Sequence, residues 1–172
     1  MELLLKNGAN VNSQNIQGAT PLMLASQLGH TNLVELLIRN GAAINWKNSY
    51  GQSPIYAASF NGHDRFVEIL IANGANVNIT TNDGSTPIHA AAQEGHGGVM
   101  ELLLKNKANI NGQNNKGTTP LILASLKGRE NVVAMLVRNG AGVNIQDEIG
   151  WSPLHAAING GIKINSNKMS YI

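Results

Sequence analysis

Apolar residues recur along the chain with the spacing of helices, in pairs of short segments. Residues 31–40 spread Leu, Val and Ile over a wide arc, as expected for a helix buried on two sides. The preceding segment has a narrower apolar face, made by Leu22, Leu24 and Ala25. Polar residues rich in Asn and Gly follow each pair. The pattern therefore predicts a unit made of a helix, a turn, a second helix and an extended loop.

Residues that start and stop helices stand at the ends of both segments. Thr20 is a natural N-cap, because its hydroxyl accepts from a free backbone N–H at the start of a helix. Pro21 suits the first helical position, where its missing N–H costs nothing. Gly29 and Gly41 follow the two helices, where glycine readily adopts the left-handed conformation.

The whole unit is repeated at a fixed interval. Its Gly-x-Thr/Ser-Pro motif occurs five times, and each copy begins 33 residues after the one before. All five prolines of the chain occupy the same position of this motif, namely Pro21, Pro54, Pro87, Pro120 and Pro153. A period of this size indicates a stacked array in which each unit buries its apolar face against its neighbours.

The two ends of the sequence depart from the repeat. Residues 1–6 are identical to residues 100–105, so the chain opens inside a second helix. We expect a piece cut from a longer protein rather than a gene with a shortened first unit, and we expect Leu3 to Leu5 to be partly uncovered. After Ala157 the pattern fails. Residues 161–172 are interpreted as an irregular tail, either a polar cap, the end of a cut piece or foreign sequence.

Composition excludes several classes of function. The net charge is +2 and charged residues make up 13% of the chain, with the two signs interspersed. No basic stripe of the kind that binds nucleic acid is present in the sequence. The absence of cysteine excludes disulfides and thiol nucleophiles. No run of about 18 apolar residues occurs, so we expect no membrane insertion.

The motif Gly-x-Thr-Pro-Leu-x-x-Ala-x-x-x-Gly-His, a Leu-rich helix and Gly-Ala-x-Val-Asn together resemble the ankyrin repeat. The resemblance covers about residues 1–160 and implies an all-α fold, an α-solenoid of stacked helix-turn-helix repeats with projecting β-hairpin loops. It implies a partial repeat at 1–14, containing the second helix only, and a partial fifth repeat at 147–160. Four full repeats occupy 15–146, as a first repeat at 15–47, a second at 48–80, a third at 81–113 and a fourth at 114–146.

Some positions depart from the family's pattern. The loop Asp of the family is present only as Asp147, and other residues replace it at Asn15, Asn48, Thr81 and Asn114. The His after the Thr-Pro-Leu motif is present only as His89 and His155, and it is replaced by Met23, Tyr56 and Ile122. The repeats with a replaced His lose a polar link to the helix cap.

The third repeat contains two weak features. Lys107 replaces a glycine that follows the second helix in the other repeats, which costs about 1 kcal/mol if the backbone is left-handed. Gly97 and Gly98 open its second helix, and glycine is a poor helix former. We therefore expect the third repeat to be the softest internal segment.

The histidines are interpreted as structural. His30, His63 and His96 are 33 residues apart in the Gly-His turn, so they lie in separate units and do not converge on one metal ion. His89 and His155 are placed to reach back to a capping Thr or Ser. No nucleophile elbow or phosphate-binding glycine loop is present in the sequence. We expect no catalytic residue, no metal site and no cofactor.

The positions that the repeat does not fix are the candidates for binding, because the resemblance implies that they line the concave face. Tyr50 and Phe60 are favoured as anchors, since an exposed aromatic buries much area at little entropic cost. Trp46 and Trp151 are also candidates, although they could instead pack on adjacent loops. The full predicted set is Tyr50, Gln52, Phe60, Asn61, Asp83, Gln93, Glu94, Lys116, Leu126, Lys127, Trp46 and Trp151.

The sequence thus predicts a non-enzymatic protein–protein interaction module whose partner, another protein, binds on the concave face. The alternative is a structural spacer or regulatory arm of a larger protein, with no partner of its own. We expect a monomer in the cytoplasm, with the nucleus as the alternative location.

Overall fold

A computed structural model describes residues 1–160, which form ten α-helices and contain no strand. The predicted tail at 161–172 lies outside the described residues. In chain order the helices are α1 (Glu2–Lys6), α2 (Pro21–Leu28), α3 (Thr31–Arg39), α4 (Pro54–Phe60), α5 (Asp64–Ala72), α6 (Pro87–Glu94), α7 (Gly97–Lys105), α8 (Pro120–Leu126), α9 (Glu130–Arg138) and α10 (Pro153–Asn159).

The helices form two layers that run along a stack. The inner layer contains α2, α4, α6, α8 and α10, and each inner helix packs against the next one in the chain. The outer layer contains α3, α5, α7 and α9, which pack on one another and on the inner helix of their own repeat. The predicted all-α stack of helix pairs is therefore confirmed.

The core runs through the stack because the same positions of every repeat are apolar. Leu22 and Ile55 are fully buried in the inner layer, and Leu70 and Leu103 are fully buried in the outer layer. Burial of each such side chain stabilises the fold by about 1.5–3 kcal/mol. Leu154 has the same position as Leu22 but is 69% exposed, because no further repeat covers α10 within residues 1–160. Each repeat is thus buried mainly by its neighbours.

The inner helices begin as the sequence predicts. Every one starts at a proline, and Thr20, Ser53 and Thr119 each accept a hydrogen bond from the backbone N–H three residues on. These N–H···O distances are 3.4, 3.3 and 3.2 Å. Each cap satisfies a backbone donor that the helix itself leaves free.

In the second, third and fourth repeats, the side chain that follows the glycine between the two helices links the repeat to the one before it. His63 Nε2 lies 3.0 Å from the carbonyl oxygen of Gln27, and His96 Nε2 lies 3.0 Å from that of Phe60. A carbonyl only accepts, so each ring nitrogen donates. Arg129 replaces histidine in the fourth repeat and donates from Nε to the Gln93 carbonyl at 3.0 Å. These histidines are therefore structural links.

The loops are tight turns joined side by side. The side-chain oxygens of Asn48 and Asn114 each accept from the backbone N–H groups two and four residues on. Neighbouring loops share single backbone bonds, such as Asn82 N–H to Tyr50 C=O at 3.1 Å. Single bonds do not make a ladder, which is why the projecting hairpins expected from the resemblance carry no strand within residues 1–160.

A second row of side-chain links follows the outer layer. Asn45 donates to the Gly74 carbonyl at 3.1 Å and accepts from the N–H of Asn76 at 2.8 Å. Asn78 makes the same two contacts one repeat later, with Lys107 and Asn109. The junctions between repeats are therefore nearly identical.

Candidate functional site

Two adjoining grooves lie where the loop tips meet the inner helices. The first, here called the aromatic groove, has a volume of about 390 Å³ and is lined by Gln27, Leu28, Gln52, Tyr56, Ala57, Phe60 and Asn61. The second, here called the loop groove, has a volume of about 330 Å³ and is lined by Tyr50, Gln52, Tyr56, Thr81, Asn82 and Asp83. Because they share Gln52 and Tyr56, the grooves form one surface across the first three repeats.

The two aromatic residues predicted as anchors border different parts of this surface. Tyr50 is 59% exposed beside the loop groove, and Phe60 is 40% exposed at the end of α4 beside the aromatic groove. Leu28, at the end of α2, adds a side chain that is 64% exposed. Three large side chains are therefore about half-exposed beside two adjoining grooves, which is typical of a surface that binds a protein.

The structure brings only part of the predicted set together. Gln52, Asn61 and Asp83 join Tyr50 and Phe60 in lining the grooves. The other positions, which line neither groove, are Gln93, Glu94, Lys116, Leu126, Lys127, Trp46 and Trp151.

Glu94 and Gln93 lie at the junction of the third and fourth repeats. Glu94 lines a separate depression of about 320 Å³ and has a carboxylate oxygen 3.7 Å from Arg129 Nη2. Gln93 donates to Glu94 at 2.9 Å. In the fourth repeat Lys116 and Lys127 are exposed and Leu126 is half-buried. Gln93 and Glu94 therefore make local contacts, and the three residues of the fourth repeat lie outside the two grooves.

The tryptophans are placed differently from the tyrosine and phenylalanine. The indole N–H of Trp46 donates to the carbonyl of Gly18 at 2.9 Å, so its polar edge joins two neighbouring loops. Trp46 remains 37% exposed. Trp151 is half-buried, and its backbone N–H donates to Asp147 at 2.8 Å. For Trp46 the contact fits the alternative of packing on an adjacent loop.

Tyr56 is a central groove residue that the sequence prediction missed. It lies on α4 between the two grooves, at the position that His89 occupies on α6. Burial raises the pKa of Tyr56 above its ordinary value, and the negative charges of Asp83 and Glu94 raise it further. The available signal was an aromatic residue at a position where two other repeats have a His that bonds to the helix cap. The Tyr56 ring makes no such bond and lines the surface instead.

Asp83 closes its own loop by contacts that the other repeats lack. Thr81 stands where most repeats have Asn, and its hydroxyl donates to an Asp83 carboxylate oxygen. Ser85 donates to Asp83 from its hydroxyl at 3.0 Å and from its backbone N–H at 3.4 Å. Partial burial raises the pKa of Asp83, but the hydrogen bonds from Thr81 and Ser85 outweigh it, so the pKa lies below its ordinary value. Asp83 is therefore ionised at neutral pH.

The most buried histidine of residues 1–160, His89, is held by hydrogen bonds to two backbone groups. His89 Nδ1 accepts from the backbone N–H of Thr86 at 3.2 Å, which leaves the proton on Nε2 to be donated to the Thr118 carbonyl at 3.1 Å. Burial lowers the pKa of His89, although the bonds to Thr118 and Gly112 and the charge of Asp83 oppose the shift. Among residues 1–160 no three His, Asp or Glu side chains are grouped so as to hold a metal ion.

The outer layer offers a weaker candidate. A depression of about 350 Å³ lies between α3 and α5, and its charged rim is formed by Glu35, Arg39, Arg65 and Glu68. These residues pair within their own helices, at 3.1 Å for Arg39–Glu35 and 2.6 Å for Arg65–Glu68. The charges are already neutralised, so they offer less to a partner.

Comparison with known proteins agrees with this architecture. A family model described as ankyrin repeats (3 copies) matches residues 1–81 and 56–147. A search of curated proteins returned no match. None of the helices within residues 1–160 is long and apolar enough to cross a membrane. Ankyrin repeats are generally protein–protein interaction modules and are typically non-catalytic. On the family match and the stacked helix pairs, the chain belongs to the ankyrin-repeat family.

Proposed function

We propose that this chain is a non-enzymatic protein-binding module that holds its partner against the aromatic and loop grooves. One observation carries the proposal: Tyr50, Phe60 and Leu28 are all exposed by 40% or more beside two grooves that share Gln52 and Tyr56. The partner is another protein, and the chain acts as a scaffold-type monomer in the cytoplasm or nucleus.

The physical basis is a surface that needs little ordering before it binds. Tyr50 and Phe60 each have few rotatable bonds, so fixing them costs little entropy while they bury a large area. The backbone under them is held by the cap of Ser53 and by the loop bond from Asn82 to Tyr50. Gln52 and Asn61 supply amide groups around the apolar centre, as in the rim of a binding surface.

The test is capture of partners from the source cell by the full chain, followed by quantitative mass spectrometry. The Tyr50→Ala/Phe60→Ala double variant should lose proteins that the unchanged chain retains. A loss of about thirtyfold or more is expected, because truncating an anchor of this kind costs about 2 kcal/mol or more.

Val137→Ala is the matched control, since Val137 is 45% exposed on the outer helix α9 and lies in neither groove. Circular dichroism should show that all variants melt like the parent. Equal capture by the double variant and the parent would contradict the proposal. Capture of nothing specific by the parent would favour a spacer or regulatory arm.

A further inference from the structure

The loop groove combines two aromatic rings with one carboxylate. Tyr50 and Tyr56 line it together with Asp83. Aromatic faces attract cations, and a carboxylate accepts charge-assisted hydrogen bonds from ammonium or guanidinium groups. A groove with this lining suits the end of a lysine or arginine side chain better than an apolar or acidic one.

The charge of Asp83 is held in place and is available. Its hydrogen bonds from Thr81 and Ser85 fix the carboxylate, and those donors are neutral. Among residues 1–160, Asp83 has no Lys, Arg or His partner within ion-pair distance. An ionised carboxylate accepts at about four lone-pair positions. Thr81 and Ser85 together occupy three of them, so about one position, on Oδ2, remains for a ligand. The negative charges of Asp83 and Glu94 both contribute to the raised pKa of Tyr56, which shows that the two carboxylates act on the same part of the surface.

The adjoining aromatic groove selects a different side chain. Leu28, Ala57 and Phe60 provide its apolar lining, and no charged residue lines it. The two grooves meet at Gln52 and Tyr56, so a ligand that fills one places its neighbouring residues near the other.

We propose that the partner presents a linear segment in which an apolar side chain enters the aromatic groove while a nearby lysine or arginine side chain enters the loop groove beside Asp83. This inference rests on the proposed function, because it assigns the chemistry of the ligand to the same surface. Charge complementarity selects a basic segment over an acidic one.

Selection from a library of random twelve-residue peptides displayed on phage tests the inference on the full chain. Peptides that bind should be enriched in an aliphatic or aromatic residue close to Lys or Arg. A synthetic copy of an enriched peptide, measured by fluorescence anisotropy, should bind Asp83→Asn about three- to tenfold more weakly, since exposed ion pairs and cation–π contacts are each modest. Replacing its basic residue by Gln should cause a similar loss.

Glu148→Gln is the matched control, because Glu148 is an exposed carboxylate on a later loop, lines neither groove and loses the same single negative charge. It should not weaken binding. Phe60→Ala should abolish the preference for the apolar residue. Peptides that need Phe60 but bind Asp83→Asn as tightly as the parent would overturn the inference and leave the proposed function standing. If no selected peptide depends on Phe60, the inference is also wrong, and the capture experiment alone decides the proposed function.

Discussion

The second and third repeats have the same architecture, but the features that stabilise or weaken a helix are distributed differently between their inner and outer helices. In the third repeat the inner helix α6 is strongly fixed, with six buried residues and His89 bonded to Thr86. Its outer helix α7 begins with Gly97-Gly98 and ends before Lys107, which has a φ of 67°. In the second repeat the outer helix α5 begins with Asp64 and buries four residues.

From this difference we expect the third repeat to be firm in the inner layer and weak in the outer layer. Each helix of a stack packs mainly on its own layer and on its partner helix, so a weak outer helix is held by the neighbours on both sides. The groove-forming loops lie beside the firm inner layer. We infer that the weak outer helix of the third repeat leaves the candidate binding surface intact.

The largest expected effect comes from removing the best-packed side chain of the firmer outer helix. Phe66→Ala should lower the free energy of unfolding by about 3–5 kcal/mol, because Phe66 is fully buried and its loss leaves a cavity. Val99→Ala, at the same buried position of α7, removes far fewer atoms and should cost less than half as much. Chemical denaturation of the full chain measures both, and equal costs would break the comparison.

The second-largest expected effect is a loss of stability at low pH, caused by His89 in the inner helix α6. The pKa of His89 is below its ordinary value of 6.5 because burial disfavours the charged ring. Below about pH 6.5 the unfolded chain therefore binds a proton that the folded chain does not, and the stability falls with a slope of at most about 1.4 kcal/mol per pH unit.

His89→Gln removes that titration while keeping a side chain able to accept from the N-cap. Unfolding by urea between pH 7 and pH 5 should show a shallower loss of stability in the variant than in the parent. An identical slope in the two proteins would show that His89 does not carry the acid sensitivity.

The third effect is a gain. Lys107 is the non-glycine residue with a positive φ among residues 1–160, while Gly74 takes the equivalent position in the second repeat with a φ of 90°. Lys107→Gly should raise the free energy of unfolding by about 1 kcal/mol by removing the left-handed strain. Gly74→Lys is the reciprocal variant and should lower it by a similar amount, since open space surrounds Gly74. A denaturation midpoint that is unchanged or lower in Lys107→Gly would contradict the expectation.

The smallest expected effect is at the start of α7. Gly97→Ala should stabilise the protein by about 0.4–1 kcal/mol, because alanine has fewer unfolded conformations to lose. The added methyl group would meet Met135 Cε at 3.6 Å, an ordinary contact. Gly98→Ala is the contrasting variant, since its methyl group would displace the Asp64 carboxylate. Amide exchange should be faster in α7 than in α5 and should slow in Gly97→Ala.

Local rules predicted most of the fold. The prolines, the caps such as Thr20 and the apolar periodicity each act within one repeat, so one sequence was enough to place the helices. The sequence raised a left-handed backbone at Lys107 only as a condition, because glycine occupies the position elsewhere, and the structure gives its φ as 67°. The separate repeat boundaries stay a prediction.

The candidate site was predicted less completely, because it depends on individual side-chain contacts, both within a repeat and between repeats. Tyr56 joins the two grooves only because α4 places it beside the loop of the third repeat. The indole N–H of Trp46 donates to the carbonyl of Gly18 in an earlier loop. Asp83 accepts a hydrogen bond from Thr81, which replaces the usual Asn. Such contacts cannot be derived from the period, since they involve the positions that vary from one repeat to the next.

The near-identity of the junctions has a consequence for rearranged chains. His63 and His96 make the same link, and Asn45 and Asn78 make the same pair of bonds, so a copy of the first repeat inserted after residue 80 would meet compatible neighbours on both sides. Such a longer solenoid should fold, yet it would carry Asp83 one module away from the second repeat. Folding therefore tolerates shuffled modules, whereas recognition depends on their order.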